Sequence, residues 1–130
     1  MYNTILKSPQ MQRKAWSKMA HPKNDAMKDY LFEAILTLET VEDCYAFFDD
    51  LCTIKELGEM AKRMCGAKML DDNRVYTDIT EKTGLSTATI SRINRALKYG
   101  SNGYRNVLDR LSENGIEPPA EIMKEGEDNA

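Results

Sequence analysis

The sequence lacks most of what membrane proteins, secreted proteins and enzymes are built from. No apolar run approaches the roughly 18–20 residues of a bilayer span, and the N-terminus has no compact apolar segment of a secretory signal. The expected location is the cytoplasm. Cysteine is scarce: Cys44, Cys52 and Cys65 are an odd number without a CxxC pair, and all fall at apolar helix positions. There cysteine behaves as a small hydrophobe, which argues against a disulfide framework and a zinc site. The single histidine, His21, sits in a polar stretch and reads as a surface residue. There is no Ser/His/Asp set, Gly-rich phosphate loop or metal-ligand cluster, and Asp49-Asp50 and Asp71-Asp72 read as solvated helix surface. Neither enzymatic activity nor a cofactor is expected. Strand patterning is missing too, so the 130 residues suit a single all-α domain with tails and about six helices.

What is present is segregated charge. The net charge is −3, which opposes a nucleic-acid partner until its distribution is read. Residues 31–56 hold seven acids against one lysine, a balance of −6, and residues 107–130 hold seven acids against Arg110 and Lys124, a balance of −5. Between them, residues 75–105 carry Lys82, Arg92, Arg95, Lys98 and Arg105 against Asp78 and Glu81, a balance of +3. The first thirty residues carry six cations against two acids.

Residues 1–26 contain Pro9 and Pro22 and show no sustained period, which predicts a flexible basic arm or leader; Met11, Met19 and Met27 are each possible starts. From Lys28 the period becomes helical, with Leu31, Ala34, Ile35 and Leu38 in one apolar stripe broadened by Tyr30 and Phe32. Thr40 is placed to cap a second helix that buries Val41, Cys44, Phe47, Phe48 and Leu51, with Glu42 and Asp43 at its positive end. Thr53 and Glu56 match a capping box, opening a third helix to about Leu70. That helix is apolar almost all round, through Leu57, Met60, Ala61, Met64, Cys65, Ala67, Met69 and Leu70. So wide an apolar surface in a small domain needs cover on two sides. A second subunit supplies it in an intertwined homodimer; the alternative is a monomer in which the first two helices wrap the third. Beyond Glu113, with Gly115, Pro118, Pro119 and an acidic run, the sequence predicts a disordered tail over 114–130. The folded domain is then expected over 27–113.

The stretch from Val75 to Leu97 carries the functional signal. Two short helical patterns meet at Gly84, where a left-handed turn costs glycine nothing. Ile79 faces the junction, Leu85 follows the turn, and Ile90, Ile93 and Leu97 repeat at helical spacing to form the wedge of a helix-turn-helix over about residues 75–98. Ser86 is placed to cap the second helix, and Thr87, Ala88, Ser91, Arg92 and Arg95 lie away from the wedge. Small polar and methyl-bearing residues at a helix N-terminus suit insertion into the major groove, where bulky ones hold the helix off. Ala88 and the Thr87 methyl are matched to thymine methyls, and Thr89, Arg95 and Lys98 to phosphates or base edges. Thr77 and Thr80 on the first helix complete the candidate contacts with double-stranded DNA. A plain helical hairpin with a glycine turn fits the same spacing.

The segment GLSTATISR resembles the start of the recognition helix in the Trp repressor superfamily, and CYAFFDDLCTIKEL, the Met-Leu before the break and Leu97-Lys-Tyr-Gly100 look like its YerC/YecD-type branch. The resemblance covers roughly residues 28–112. It implies an all-helical, six-helix intertwined homodimer whose two recognition helices enter successive major grooves, and so a transcriptional regulator of the repressor type. In that family a tryptophan corepressor is held by one arginine on the central helix and one on the recognition helix. By the resemblance these fall on Lys62 and Arg92. Lys62 keeps the charge but lacks the carboxylate-matching fork. Ile93 stands where the Trp repressor has glycine, so a branched side chain occupies the space an indole needs. Tryptophan is therefore not expected as effector. Arg92 is left with two roles, holding a smaller anion with Lys62 or contacting DNA or a neighbouring helix, and the second is preferred. The competing function is a helical, dimeric protein-interaction module that binds through its acidic segments.

Overall fold

The computed structural model describes residues 25–124. Residues 1–24 of the basic arm, His21 among them, and residues 125–130 of the acidic tail lie outside the described residues. Seven helices and no strand are found among those described: α1 (Ala26–Ile35), α2 (Val41–Leu51), α3 (Ile54–Asp71), α4 (Tyr76–Thr83), α5 (Thr87–Tyr99), α6 (Gly103–Glu113) and α7 (Ala120–Met123). The seventh lies in the segment expected to be disordered. Among the described residues the chain divides within α2, between residues 47 and 48, into two compact units.

In the first unit the helix starts are set locally. Asp25 accepts from the Met27 and Lys28 amides at 2.9 and 3.3 Å, satisfying orphan donors of α1. Thr40 caps α2 by accepting from Asp43 N at 3.0 Å, and the Asp43 carboxylate returns the contact to Glu39 N at 3.0 Å. No residue of α1 or α2 is buried. Val41, Cys44 and Leu51, expected inside, are exposed, and Phe47 and Phe48 are half-buried. Met27 and Tyr30 stand 81% exposed and Tyr45 64%. The stripe has the right period, and Leu31, Ala34, Ile35 and Leu38 on it are half-buried.

The second unit is built on α3. Its capping box closes both ways, with Glu56 N donating to Thr53 Oγ1 at 3.0 Å and Thr53 N to Glu56 Oε1 at 2.8 Å. The first half of α3 is open, Ile54 being 94% exposed, whereas Gly66, Ala67 and Met69 in its second half are buried. Here α4 and α5 pack against it, and Ile79, Leu85, Ile90, Ile93, Leu108 and Ile122 complete the core. Gly66 permits the approach: a Cβ there would lie 2.9 Å from Leu85 Cδ1. Ile79, Ile90 and Met69 are fully buried, each contributing about 1.5–3 kcal/mol of transfer free energy.

Two features stand beyond the reach of local pattern. Arg105 on α6 forks onto Asp71 at the end of α3, at 2.8 and 2.9 Å. That fork holds the Asp71 carboxyl below the usual carboxylate range and raises Arg105 above its ordinary value. The other is the expected tail, which is ordered through residue 124. Gly115, at φ 69, turns the chain after α6, and Pro118-Pro119 leads into α7, whose Ile122 is buried in the core. Ile122 escapes prediction because one apolar residue among acids and prolines has no period.

Candidate nucleic-acid interface

The helix-turn-helix is α4, a short turn and α5. α4 ends on Gly84, which is left-handed at φ 78 and donates its amide to Thr80 O at 2.8 Å. Thr83, missed in the sequence, ties the turn. Its buried hydroxyl donates to Ile79 O at 2.7 Å and accepts from Leu85 N at 3.1 Å. Ser86 then caps α5 by accepting from Thr89 N at 3.1 Å. The second glycine works differently from the first. Gly100 terminates α5 with a negative φ, and a Cβ there would collide with the Ala96 carbonyl; the left-handed residue is Asn102.

α5 separates into two faces. Ile90 and Ile93 are buried and Leu97 is half-buried, forming the wedge against α3 and α4. Thr87, Ala88, Ser91, Arg92, Arg95 and Lys98 are all exposed on the opposite side, together with Tyr99. The exposed face therefore starts small and polar and becomes cationic toward its end. No acid occurs anywhere between Leu85 and Leu108.

Ion pairing sharpens the charge reading made from sequence. Lys82 is bound to Asp78 at 2.8 Å, and Arg105 is bound to Asp71 and to Asp109 at 3.2 Å. These cations are spent within the fold. Arg92, Arg95 and Lys98 form no ion pair among the described residues, and all three lie on one face of α5. The potential is concentrated where a phosphate backbone can meet it.

The remaining candidates divide. Thr77 is exposed near the start of α4. Thr80 is half-buried, its hydroxyl shielded from solvent without a hydrogen-bond partner. Thr89 is half-buried and lines an open cleft of about 430 Å³ with Arg63, Arg92, Ile93, Ala96 and Tyr104. The cation that shares this cleft with Arg92 is thus Arg63, missed in the sequence. Lys62, the residue matched to the central-helix arginine, instead pairs with Glu59 at 3.4 Å. One step along a helix is a rotation of about 100°, which turns Arg63 toward the cleft and Lys62 toward Glu59. Ile93 is only 3% exposed, its Cδ1 packed 3.5 Å from the Cβ position of Gly66. A second cavity, of about 240 Å³, lies between α3, α6 and the segment leading to α7, with Met64, Cys65, Leu108 and Pro118 among its walls. Burial, reinforced by Glu121, pushes the Cys65 thiol above its ordinary pKa. No group of three His, Cys, Asp or Glu that suits a metal ion, and no helix long and apolar enough to cross a membrane, occurs among the described residues.

Comparison with known proteins agrees with this geometry. The family profile for the Trp repressor protein matches residues 26–112. The uncharacterised protein YerC of Bacillus subtilis is 49% identical over 89 residues, covering 68% of this chain and 86% of its own. Among solved structures, a TrpR-like protein from Eubacterium eligens superposes with a TM-score of 0.62 at 43% identity, covering 85% of this chain and 96% of its own. A candidate Trp repressor from Staphylococcus aureus does so at 0.67 and 44%, covering 78% and 98%. With an all-helical fold, a helix-turn-helix and a family match across most of its described length, this chain belongs to the Trp repressor family.

Proposed function

We propose that this protein is a sequence-specific DNA-binding transcriptional regulator, acting as a repressor in the cytoplasm, that reads the major groove with α5. The observation that carries the reading is the exposed face of α5. It is free of acid, small at its N-terminus and armed with three cations that form no ion pair among the described residues. Thr87, Ala88 and Ser91 meet base edges and methyl groups, while Arg92, Arg95 and Lys98 meet phosphates or guanine edges. Ser86 and Thr77 sit at helix starts, where backbone amides and hydroxyls bind phosphate. Thr89, beside Arg92 in the cleft, and Thr80 are the half-buried members of the same contact set.

The working unit is a homodimer. Support comes from apolar side chains that stand exposed among the described residues, Val41 and Tyr45 on α2 at 67 and 64% and Ile54 at the start of α3 at 94%. Exposed apolar side chains in such numbers suit a protein interface. Two-fold symmetry then places the two α5 helices about one turn of DNA, roughly 34 Å, apart on a palindromic site.

Tryptophan is not the effector in this reading. The buried Ile93 lines the cleft beside Arg92, where its branched side chain takes space an indole needs, and the reading head is then set without a corepressor. A thermal-shift screen of amino acids and nucleotides tests that part. A specific stabilisation lost in Arg92→Ala overturns it and makes Arg92, with Arg63, an anion site. The DNA-binding claim is tested by selecting bound duplexes from a random pool with the purified protein while measuring its mass in solution. A shared two-fold motif bound by a species of twice the chain mass is expected. Recovery of no motif, with partners captured through the acidic segments instead, points to a protein-interaction module.

A further inference from the structure

α4 is poorly equipped to hold itself. It has only eight residues, and its N-cap, Val75, offers no side-chain hydrogen bond. Isolated helices of this length do not persist in water, so its position depends on what is packed against it. The residue that compensates is Arg74, which sits between the left-handed Asn73 and the start of α4 with its side chain 12% exposed. One edge of its guanidinium holds Asp78 in the first turn of α4, Nε at 2.7 Å and Nη2 at 2.6 Å from Oδ2. The other carboxylate oxygen takes Lys82 Nζ at 2.8 Å. Burial works against ionised Asp78, but the Lys82 and Arg74 contacts outweigh it and its pKa falls below the usual carboxylate range.

The far edge of the same guanidinium reaches a segment 48 to 50 residues away. Nη1 donates to Ile122 O at 3.1 Å and Met123 O at 3.4 Å, and Nη2 donates to Lys124 O. These carbonyls close the end of α7, whose acceptors have no partner within so short a helix. Beside them Ile122 is buried against α3 and α4. The approach is stiffened by Pro118-Pro119, whose fixed backbone angles reduce the entropy lost when the segment docks. The family match ends at residue 112, before this segment begins.

We propose that residues 116–124 are a strap, latched by Arg74 and Ile122, that fixes α4 and thereby positions the recognition helix. Arg74 is a positioning residue for DNA recognition. It has no open face for a phosphate and acts through Asp78 and the strap carbonyls. This rests on the DNA-binding reading for its consequence but not for its mechanics.

The test uses the full chain with Arg74→Lys and Ile122→Ala. Lysine keeps the charge and a contact with Asp78 but lacks the planar fork that spans both the carboxylate and the strap. Amide hydrogen exchange without DNA is measured first. The strap predicts that amides of α4 and the strap exchange at least tenfold faster in Arg74→Lys, while the second half of α3 and α6 keep their protection. Exchange in α4 within twofold of wild type, or uniform acceleration across all helices, overturns the latch. Binding to a selected duplex and to random DNA is measured next. Arg74→Lys is expected to reduce the specific-to-random ratio about fivefold or more without changing the salt slope. An equal loss on both DNAs with a shallower slope overturns it in favour of a phosphate contact. A wild-type protein without sequence preference refutes the DNA reading alone, because the exchange result stands by itself.

Discussion

Replacing Gly84 by alanine isolates the backbone term at the helix-turn-helix corner. Gly84 sits at φ 78, and the nearest atom to an added Cβ is Lys62 Nζ at 3.9 Å, so no clash enters. A left-handed conformation costs a non-glycine L-residue about 1–2 kcal/mol. Alanine also stiffens the unfolded chain, which returns about 0.4–1 kcal/mol. The net expectation is a loss of roughly 1 kcal/mol, a fall in midpoint of about 4–8 °C for a domain of this size. Asparagine tolerates the left-handed region better than alanine, so Gly84→Asn is expected to lie between alanine and wild type. Gly103 has no positive φ and nothing within 4 Å of an added Cβ, so Gly103→Ala is the control and leaves stability unchanged or improved. Urea unfolding with an unchanged slope provides the measurement. Gly84→Ala as stable as wild type, or Gly84→Asn no better than Gly84→Ala, refutes a left-handed turn at this corner.

Other predictions follow from the same packing. Ile90→Ala removes a fully buried side chain from the wedge and is expected to cost about 2–5 kcal/mol, read by denaturant unfolding. Asp78→Asn leaves Arg74 and Lys82 without their carboxylate and is expected to cost about 2 kcal/mol at pH 7. Because the folded pKa of Asp78 is depressed, its contribution is complete above the unfolded value of about 4 and is lost as pH falls through the lower folded value. The wild-type and Asp78→Asn stability curves should therefore converge in acid; a constant gap down to the lowest pH contradicts the pairing. Asp71, held low by the Arg105 fork, titrates with the same sign. Val41→Asp combined with Tyr45→Asp alters side chains already exposed in the single chain. In the dimer reading it halves the solution mass, whereas a true monomer tolerates it.

What could be read from the sequence was what local chemistry dictates. Thr53 with Glu56, Ser86 at the head of α5, and Gly84 between two periodic segments each act over three or four residues. The wedge of Ile79, Leu85, Ile90 and Ile93 was visible because its spacing is helical. The exposed face of α5 follows directly from that spacing, and its candidates Thr87, Ala88, Ser91, Arg92, Arg95 and Lys98 fall together. What escaped depends on distance or rotation. Arg74 meets carbonyls some fifty residues away, through a segment whose acids and prolines read as a tail. Arg63 rather than Lys62 faces the cleft with Arg92, a matter of one residue's rotation. The Arg105–Asp71 pair joins residues 34 apart, so the sequence does not show which cations of the basic window are already bound to acids. The exposure of Val41, Cys44 and Leu51 was likewise invisible, because amphipathic periodicity does not say which surface provides the cover.

The central claim is that the exposed face of α5 reads DNA. It is tested most directly by fluorescence anisotropy on a selected duplex and its scrambled counterpart, across a salt series, with wild type, Arg95→Ala and Ala88→Lys. Wild type is expected to prefer the selected duplex by about three orders of magnitude or more. Arg95→Ala should weaken binding by about tenfold, with a salt slope shallower by about one if it meets phosphate and unchanged if it meets a base edge. Ala88→Lys should abolish the preference while keeping electrostatic binding to both duplexes. Equal affinity of wild type for both duplexes, or indifference of the preference to both substitutions, contradicts the claim.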